Sequence, residues 1–79
     1  MEESTKNKSI LVIIGENVKR YRELEGMTLS EFACKAGCSK GRVHEIEHGQ
    51  ANLQLRTVGT LADTLGVKVI DLVEDWDDE

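Results

Sequence analysis

An all-α domain of five helices is predicted by three features of this 79-residue sequence. It has no proline, its seven glycines fall mainly where helices should stop, and its apolar residues recur at helical spacing. A chain this short suffices for one domain and buries only roughly 60% of its unfolded surface. No internal repeat or low-complexity segment interrupts it.

The first helix is expected from Ser9 or Ile10 to Glu25. Ile14, Val18 and Tyr21 stand at i, i+4 and i+7 and form its apolar stripe, with Leu11 and Leu24 or Glu25 at the margins. Glu16, Lys19, Arg20 and Glu23 face outward, and Gly26 ends the helix. Because Ile10 to Ile14 is continuous and rich in β-branched residues, an N-terminal edge strand is the competing reading.

Thr28 is placed to cap a second helix, with Glu31 three residues on completing a capping box. Phe32, Ala33 and Ala36 are its core residues, Gly37 supplies a left-handed end, and Cys38 sits in the turn as a small buried hydrophobe. Ser39 caps the third helix, Lys40 to His48, which buries Val43 and Ile46, shows Lys40, Gly41, His44 and Glu45 on its other side, and stops at Gly49. Residues 52–55 lead into a fourth helix with Val58, Leu61, Ala62 and Leu65 on one face and Gly66 at its end. A short fifth helix runs from Val69 to Val73, with an extension to Trp76 open.

The formal charge of −5 speaks against a general attraction to nucleic acid. Five of the fifteen acids, however, lie in the last six residues, which leaves ten acids against ten bases over residues 1–73. Any DNA-binding face must therefore come from local clustering. The organisation expected is a flexible N-terminal segment (1–9), a helix-turn-helix domain (10–73) and an acidic C-terminal tail (74–79). That tail reads as a solvated terminus, or as a device that repels nonspecific DNA or contacts a partner.

A disulfide between Cys34 and Cys38, four positions apart in a helical stretch, would add almost no loop-closure constraint, so both are expected as reduced thiols. A core this small without a disulfide framework rarely supplies more than ~3–5 kcal/mol, which makes a homodimer the expectation. The segment 1–9 is polar and the run Ile10 to Ile14 is too short for a signal sequence or a membrane span, so a cytoplasmic protein without membrane contact is expected.

Two short helices, a glycine turn and a helix whose leading end is free match the geometry of helix-turn-helix readers. The residues carry the likeness further. The stretch GMTLSEFACKAGCSKGRVHEIEHGQANLQLRTVGTLADTLGV, Gly26 to Val67, resembles the Cro/C1-type (XRE) helix-turn-helix domain, a likeness that extends through IGENVKRYRE upstream and IDLV downstream. Ala33 and Gly37 fit the alanine of helix two and the glycine of the turn. The residues Ile46 to Gly49 fit the I-E-x-G ending, and LADTLGV fits the L-A-x-x-L-G-V pattern of helix four.

The resemblance implies a five-helix, lambda-repressor-like DNA-binding domain with Lys40 to His48 as recognition helix. It implies a structural salt bridge between Arg22 and Glu47, clamping that helix to the first; DNA contact by Arg22 is the lesser alternative. The positions matching base readers are Lys40, Gly41, His44 and Glu45, each with a solvated surface residue as the plain alternative. Lysine donates to guanine N7 and O6, and glutamate accepts from cytosine N4, so Lys40 and Glu45 together suit a G·C-containing half-site. Phosphate contacts are expected from Thr28, Lys35, Ser39, Arg42, Gln50, Asn52 and Arg56, with Arg42 and Arg56 foremost. Two positions depart from the family pattern: Leu29 stands where a glutamine is usual, and Leu53 where a proline often follows. Both bear on affinity more than on fold.

Val67, Val69, Ile70, Leu72, Val73 and Trp76 provide more apolar surface than one short helix needs, so they are expected at a dimer interface, with core packing accounting for about half of them. The function expected is sequence-specific binding of double-stranded DNA by a homodimeric transcriptional regulator on a pseudo-palindromic operator, as repressor or autoregulator. The size of the chain resembles that of restriction-modification control proteins and small phage repressors. The alternative is a protein-interaction module such as an antitoxin, with DNA binding secondary.

Cys34, Cys38, His44 and His48 also spell C-x3-C-x5-H-x3-H. The resemblance sets Cys38 under the turn and sends His44 to the groove, so neither a metal site nor a redox role for Cys34 is expected. With no glycine-rich phosphate loop and no nucleophile beside a base and an orienting acid, an enzyme is not expected, and no cofactor.

Overall fold

Ser9 caps the first helix by accepting the N–H of Leu11 on its Oγ at 3.2 Å, and the run behind it is helical, not extended. The computed structural model describes residues 9–75, which form five helices: α1 (Ile10–Leu24), α2 (Leu29–Ala36), α3 (Lys40–Glu47), α4 (Leu55–Leu65) and α5 (Val69–Val73). No strand occurs among the described residues, so the β-branched run has no sheet to join. It gains instead by burying one helical face, and tertiary packing overrides its propensity.

That face holds Ile14 and Val18, with Tyr21 half-buried, while Leu24 is 72% exposed and lies off the stripe. Gly15 and Asn17 are buried as well, although neither belongs to an apolar pattern. A Cβ on Gly15 would collide with the carbonyl oxygen of Ile46 and lie 2.9 Å from that of Glu47, so the bare backbone is what lets α1 cross the end of α3. The Asn17 amide donates to the carbonyls of Leu72 (2.8 Å) and Glu74 (2.7 Å). These bonds satisfy backbone acceptors at the end of α5. Glu74 is already extended, so the last helix stops at Val73 and does not run on toward Trp76, which lies outside the described residues.

Thr28 and Glu31 close the capping box: Thr28 Oγ1 accepts the N–H of Glu31 at 3.1 Å and Glu31 Oε1 accepts that of Thr28 at 2.9 Å. Phe32 and Ala33 are buried; Ala36 and Cys38 pack against the core but stay half-buried, so Cys38 is less enclosed than its place in the turn suggests. Gly37 takes φ 76°, a left-handed value that a side chain resists, and this turns the chain sharply into α3.

Ser39 caps α3 by accepting the N–H of Arg42 at 3.0 Å. Val43 and Ile46 bury its inner side, packing with Phe32, Leu61 and Leu72 in one core. Ala51, between α3 and α4, joins that core, and α4 contributes Val58, Leu61, Ala62 and Leu65. No helix among the described residues is long and apolar enough to cross a membrane.

Candidate nucleic-acid interface

The third helix divides cleanly between scaffold and surface. Val43, Ile46 and Glu47 point into the domain, whereas Lys40, Gly41, His44 and Glu45 are all exposed. Their spacing of i, i+1, i+4 and i+5 keeps the four on one helical face. The Ser39 cap takes the N–H of Arg42, which leaves those of Lys40 and Gly41 at the open leading end. Gly41 is a glycine without an internal reason: its φ is not positive, and a Cβ there would meet nothing within 4 Å. Glycine inside a helix costs roughly 0.5–1 kcal/mol against alanine. Such a residue fits a place where something outside the domain approaches the backbone closely.

Arg22 and Glu47 hold this helix to α1. Arg22 Nε donates to Glu47 Oε2 at 2.6 Å and Nη2 to Oε1 at 3.1 Å, while Nη1 donates to the carbonyl of Met27 at 2.7 Å. The two side chains are only 10% and 3% exposed. The hydrogen bonds to Glu47 raise the already high pKa of the guanidinium, outweighing the opposite effect of burial. Every donor-bearing nitrogen of Arg22 is thus engaged inside the domain, which leaves its side chain little to offer a ligand.

The residues expected at phosphates are found in different states. Lys35 is exposed in the last turn of α2 and Arg56 in the first turn of α4. Gln50 and Asn52 are exposed in the segment between α3 and α4. Thr28 and Ser39 both use a side-chain oxygen as acceptor for a helix cap, which leaves each hydroxyl proton available. The backbone N–H of Thr28 is already given to Glu31. Arg42 is half-buried and leans across to the carbonyl of Asn52 (Nη2 to O, 3.3 Å), with Glu45 4.0 Å from its other terminal nitrogen. Arg42 therefore ties α3 to the following loop, and Glu45 offsets part of its charge.

Of the residues expected at an interface between copies, Val69 and Ile70 are 42% and 62% exposed, and Val67 and Val73 are half-buried against the core. Leu72 has no exposed surface at all: it is the plug of α5 in the domain's own core, which corrects its assignment to an interface. Trp76 lies outside the described residues. The sequence reading misses Leu55, 84% exposed at the start of α4.

Sequence reasoning also misses a pattern on α3. Residues 44–48 read H-E-I-E-H, the H-E-x-x-H spacing of helical zinc sites. The two imidazoles are stacked, with ring centroids 4.1 Å apart. Among the described residues, no group of three or more His, Cys, Asp and Glu converges as a metal cluster, so Cys34 and Cys38 do not join the histidines.

Comparison with known proteins places this arrangement. A family model described as a helix-turn-helix domain matches residues 13–76. The uncharacterized HTH-type transcriptional regulator y4dJ of Sinorhizobium fredii is 32% identical over 66 residues, covering 84% of this chain and 86% of that protein. The HTH-type transcriptional regulator SinR of Bacillus licheniformis is 34% identical over 67 residues, covering 84% of this chain but only 60% of SinR. Among solved structures, the restriction-modification controller protein C.AhdI from Aeromonas hydrophila superposes with a TM-score of 0.74 at 27% identity, over 78% of this chain and 90% of that one. With its capped turn, its clamped third helix and a match over most of its length, the chain belongs to the helix-turn-helix domain family, of the Cro/C1 (XRE) type.

Proposed function

We propose that residues 10–73 bind double-stranded DNA sequence-specifically, as a cytoplasmic transcriptional regulator that inserts the leading end of α3 into a major groove. The observation that carries this reading is the exposed face of Lys40, Gly41, His44 and Glu45 on a helix whose opposite side is locked by Val43, Ile46 and the Arg22–Glu47 pair. Lys40 and Glu45 carry groups suited to guanine and cytosine edges, and Gly41 admits the groove wall closely. Lys35, Arg42, Arg56, Gln50, Asn52, Thr28 and Ser39 supply the phosphate contacts that set register. No catalytic step and no cofactor enter this role.

Two copies act together, as repressor or autoregulator, on an inverted repeat with half-sites roughly 34–36 Å apart or a multiple of it. Support comes from the exposed Val69 and Ile70 on α5 and from the small core, which association would reinforce. The same exposed apolar residues, with Leu55, favour the second reading, a module that binds another protein. Selection of binding sites from a random duplex pool separates the two: an enriched inverted repeat supports the regulator, whereas no enrichment beside a tight protein partner supports the interaction module.

A further inference from the structure

His44 lies in the last turn of α3 and His48 is the residue that caps its end, and neither side chain is buried in the core. Both side chains are exposed, they stand four residues apart on one helical face, and their rings are stacked at 4.1 Å with 23° between the planes. Nδ1 of His48 lies 2.8 Å from the carbonyl oxygen of His44. A carbonyl only accepts, so this nitrogen carries the proton and the ring's lone pair sits on Nε2. That is the arrangement behind metal-bound histidines generally: one ring nitrogen tied to a carbonyl, which fixes tautomer and orientation, and the other left to coordinate.

We propose that His44 and His48 form a two-ligand site at the C-terminal end of α3 for a borderline transition-metal dication of the Zn²⁺, Ni²⁺, Cu²⁺ class, contrary to what the sequence reading expects. Imidazole nitrogen suits these ions, whereas Mg²⁺ and Ca²⁺ take oxygen ligands. Two metal–nitrogen bonds of about 2.0–2.1 Å at a tetrahedral angle hold the nitrogens about 3.4 Å apart with both lone pairs converging, which stacked planes do not give. The 4.1 Å separation makes the rings neighbours, and the exposed His44 ring swings out of the stack to meet the ion.

The acids of the H-E-x-x-H string stay outside the coordination sphere. Both oxygens of Glu47 are held by Arg22, and Glu45 is turned about 100° from His44 along the helix, toward Arg42. With no third ligand among the described residues, water fills the remaining positions, and binding is weaker than in a closed four-ligand site. A bound ion adds positive charge to the exposed face of α3 and fixes both rings. If that face reads DNA, metal loading changes its affinity, but the site itself does not rest on that reading.

The test is a titration of Ni²⁺ into the full chain and into H44Q, H48Q and C34S/C38S variants, followed by calorimetry, with NMR of the wild-type imidazole signals alongside. The expected result is one ion per chain, with both histidine signals broadened first. Each glutamine variant loses roughly tenfold or more in affinity, and the cysteine variant binds like the wild type. Nickel affinity unchanged in both glutamine variants, or broadening that spares His44 and His48, overturns the site. The NMR readout on the wild type needs no variant to fold.

Discussion

Arg22 and Glu47, twenty-five residues apart in sequence, meet in a two-pronged ion pair that fastens the third helix to the first. Removing one partner strands a charge that is almost out of water. Glu47→Ala is therefore expected to cost about 3–5 kcal/mol, whereas the double variant Arg22→Met/Glu47→Leu costs less than the single change. Urea unfolding of the variants checks this; a double variant as unstable as the sum of the singles would show that the two side chains do not act as a clamp.

Gly15 and Gly59 both lie inside helices, with opposite surroundings. A methyl group on Gly15 runs into the backbone carbonyls at the end of α3, and on Gly59 it meets nothing within 4 Å. Gly15→Ala should destabilise by about 1–3 kcal/mol or more. Gly59→Ala should stabilise by roughly 0.5–1 kcal/mol. Thermal unfolding distinguishes them, and equal shifts would mean that α1 can retreat from α3 without cost.

Gly41 separates stability from function. Alanine there fills open space and improves the helix, so thermal stability should rise by roughly 0.5–1 kcal/mol. Binding to a selected operator should weaken at the same time, because in the proposed docking the added methyl group faces the groove. Unchanged DNA affinity in this stabler variant would take the backbone at residue 41 out of the interface.

Asn17 connects the first helix to the last. Its amide holds two carbonyls at the end of α5, and Asn17→Ala leaves them without that donor, at a cost of about 1–3 kcal/mol. Since Val69 and Ile70 sit on α5, the same change should weaken self-association. Sedimentation over micromolar concentrations is the check. A wild type that stays monomeric throughout contradicts the dimer, and a variant dimerising normally contradicts the link through Asn17.

Local chemistry explains what is legible in the sequence. The capping box of Thr28 and Glu31, the turn at Gly37, and the stripe of Val58, Leu61, Ala62 and Leu65 each depend on residues within a few positions of one another. The pairing of Arg22 with Glu47 is visible only through the family resemblance, because nothing local brings residues of α1 and α3 together. Gly15 and Asn17 are illegible for the same reason: each is buried by an element distant in sequence. Leu72 looks like surplus apolar surface until α5 is seen inserting it into the core. The histidine spacing is legible letter by letter, but the tautomer that readies His48 for a metal appears only with its bond to the carbonyl of His44.

In the proposed function, the exposed face of α3 reads bases while the residues expected at phosphates grip the backbone. Its most direct test is quantitative binding of wild type, Lys40→Ala and Arg42→Ala to a selected operator and to random duplex, over a series of salt concentrations. Lys40→Ala should lose affinity for the operator mainly, narrowing the gap between specific and random DNA. Arg42→Ala should lose affinity on both, with a salt slope shallower by about one. Equal losses on the two duplexes for Lys40→Ala, or no loss on either, would contradict the assignment of α3 as the reading helix.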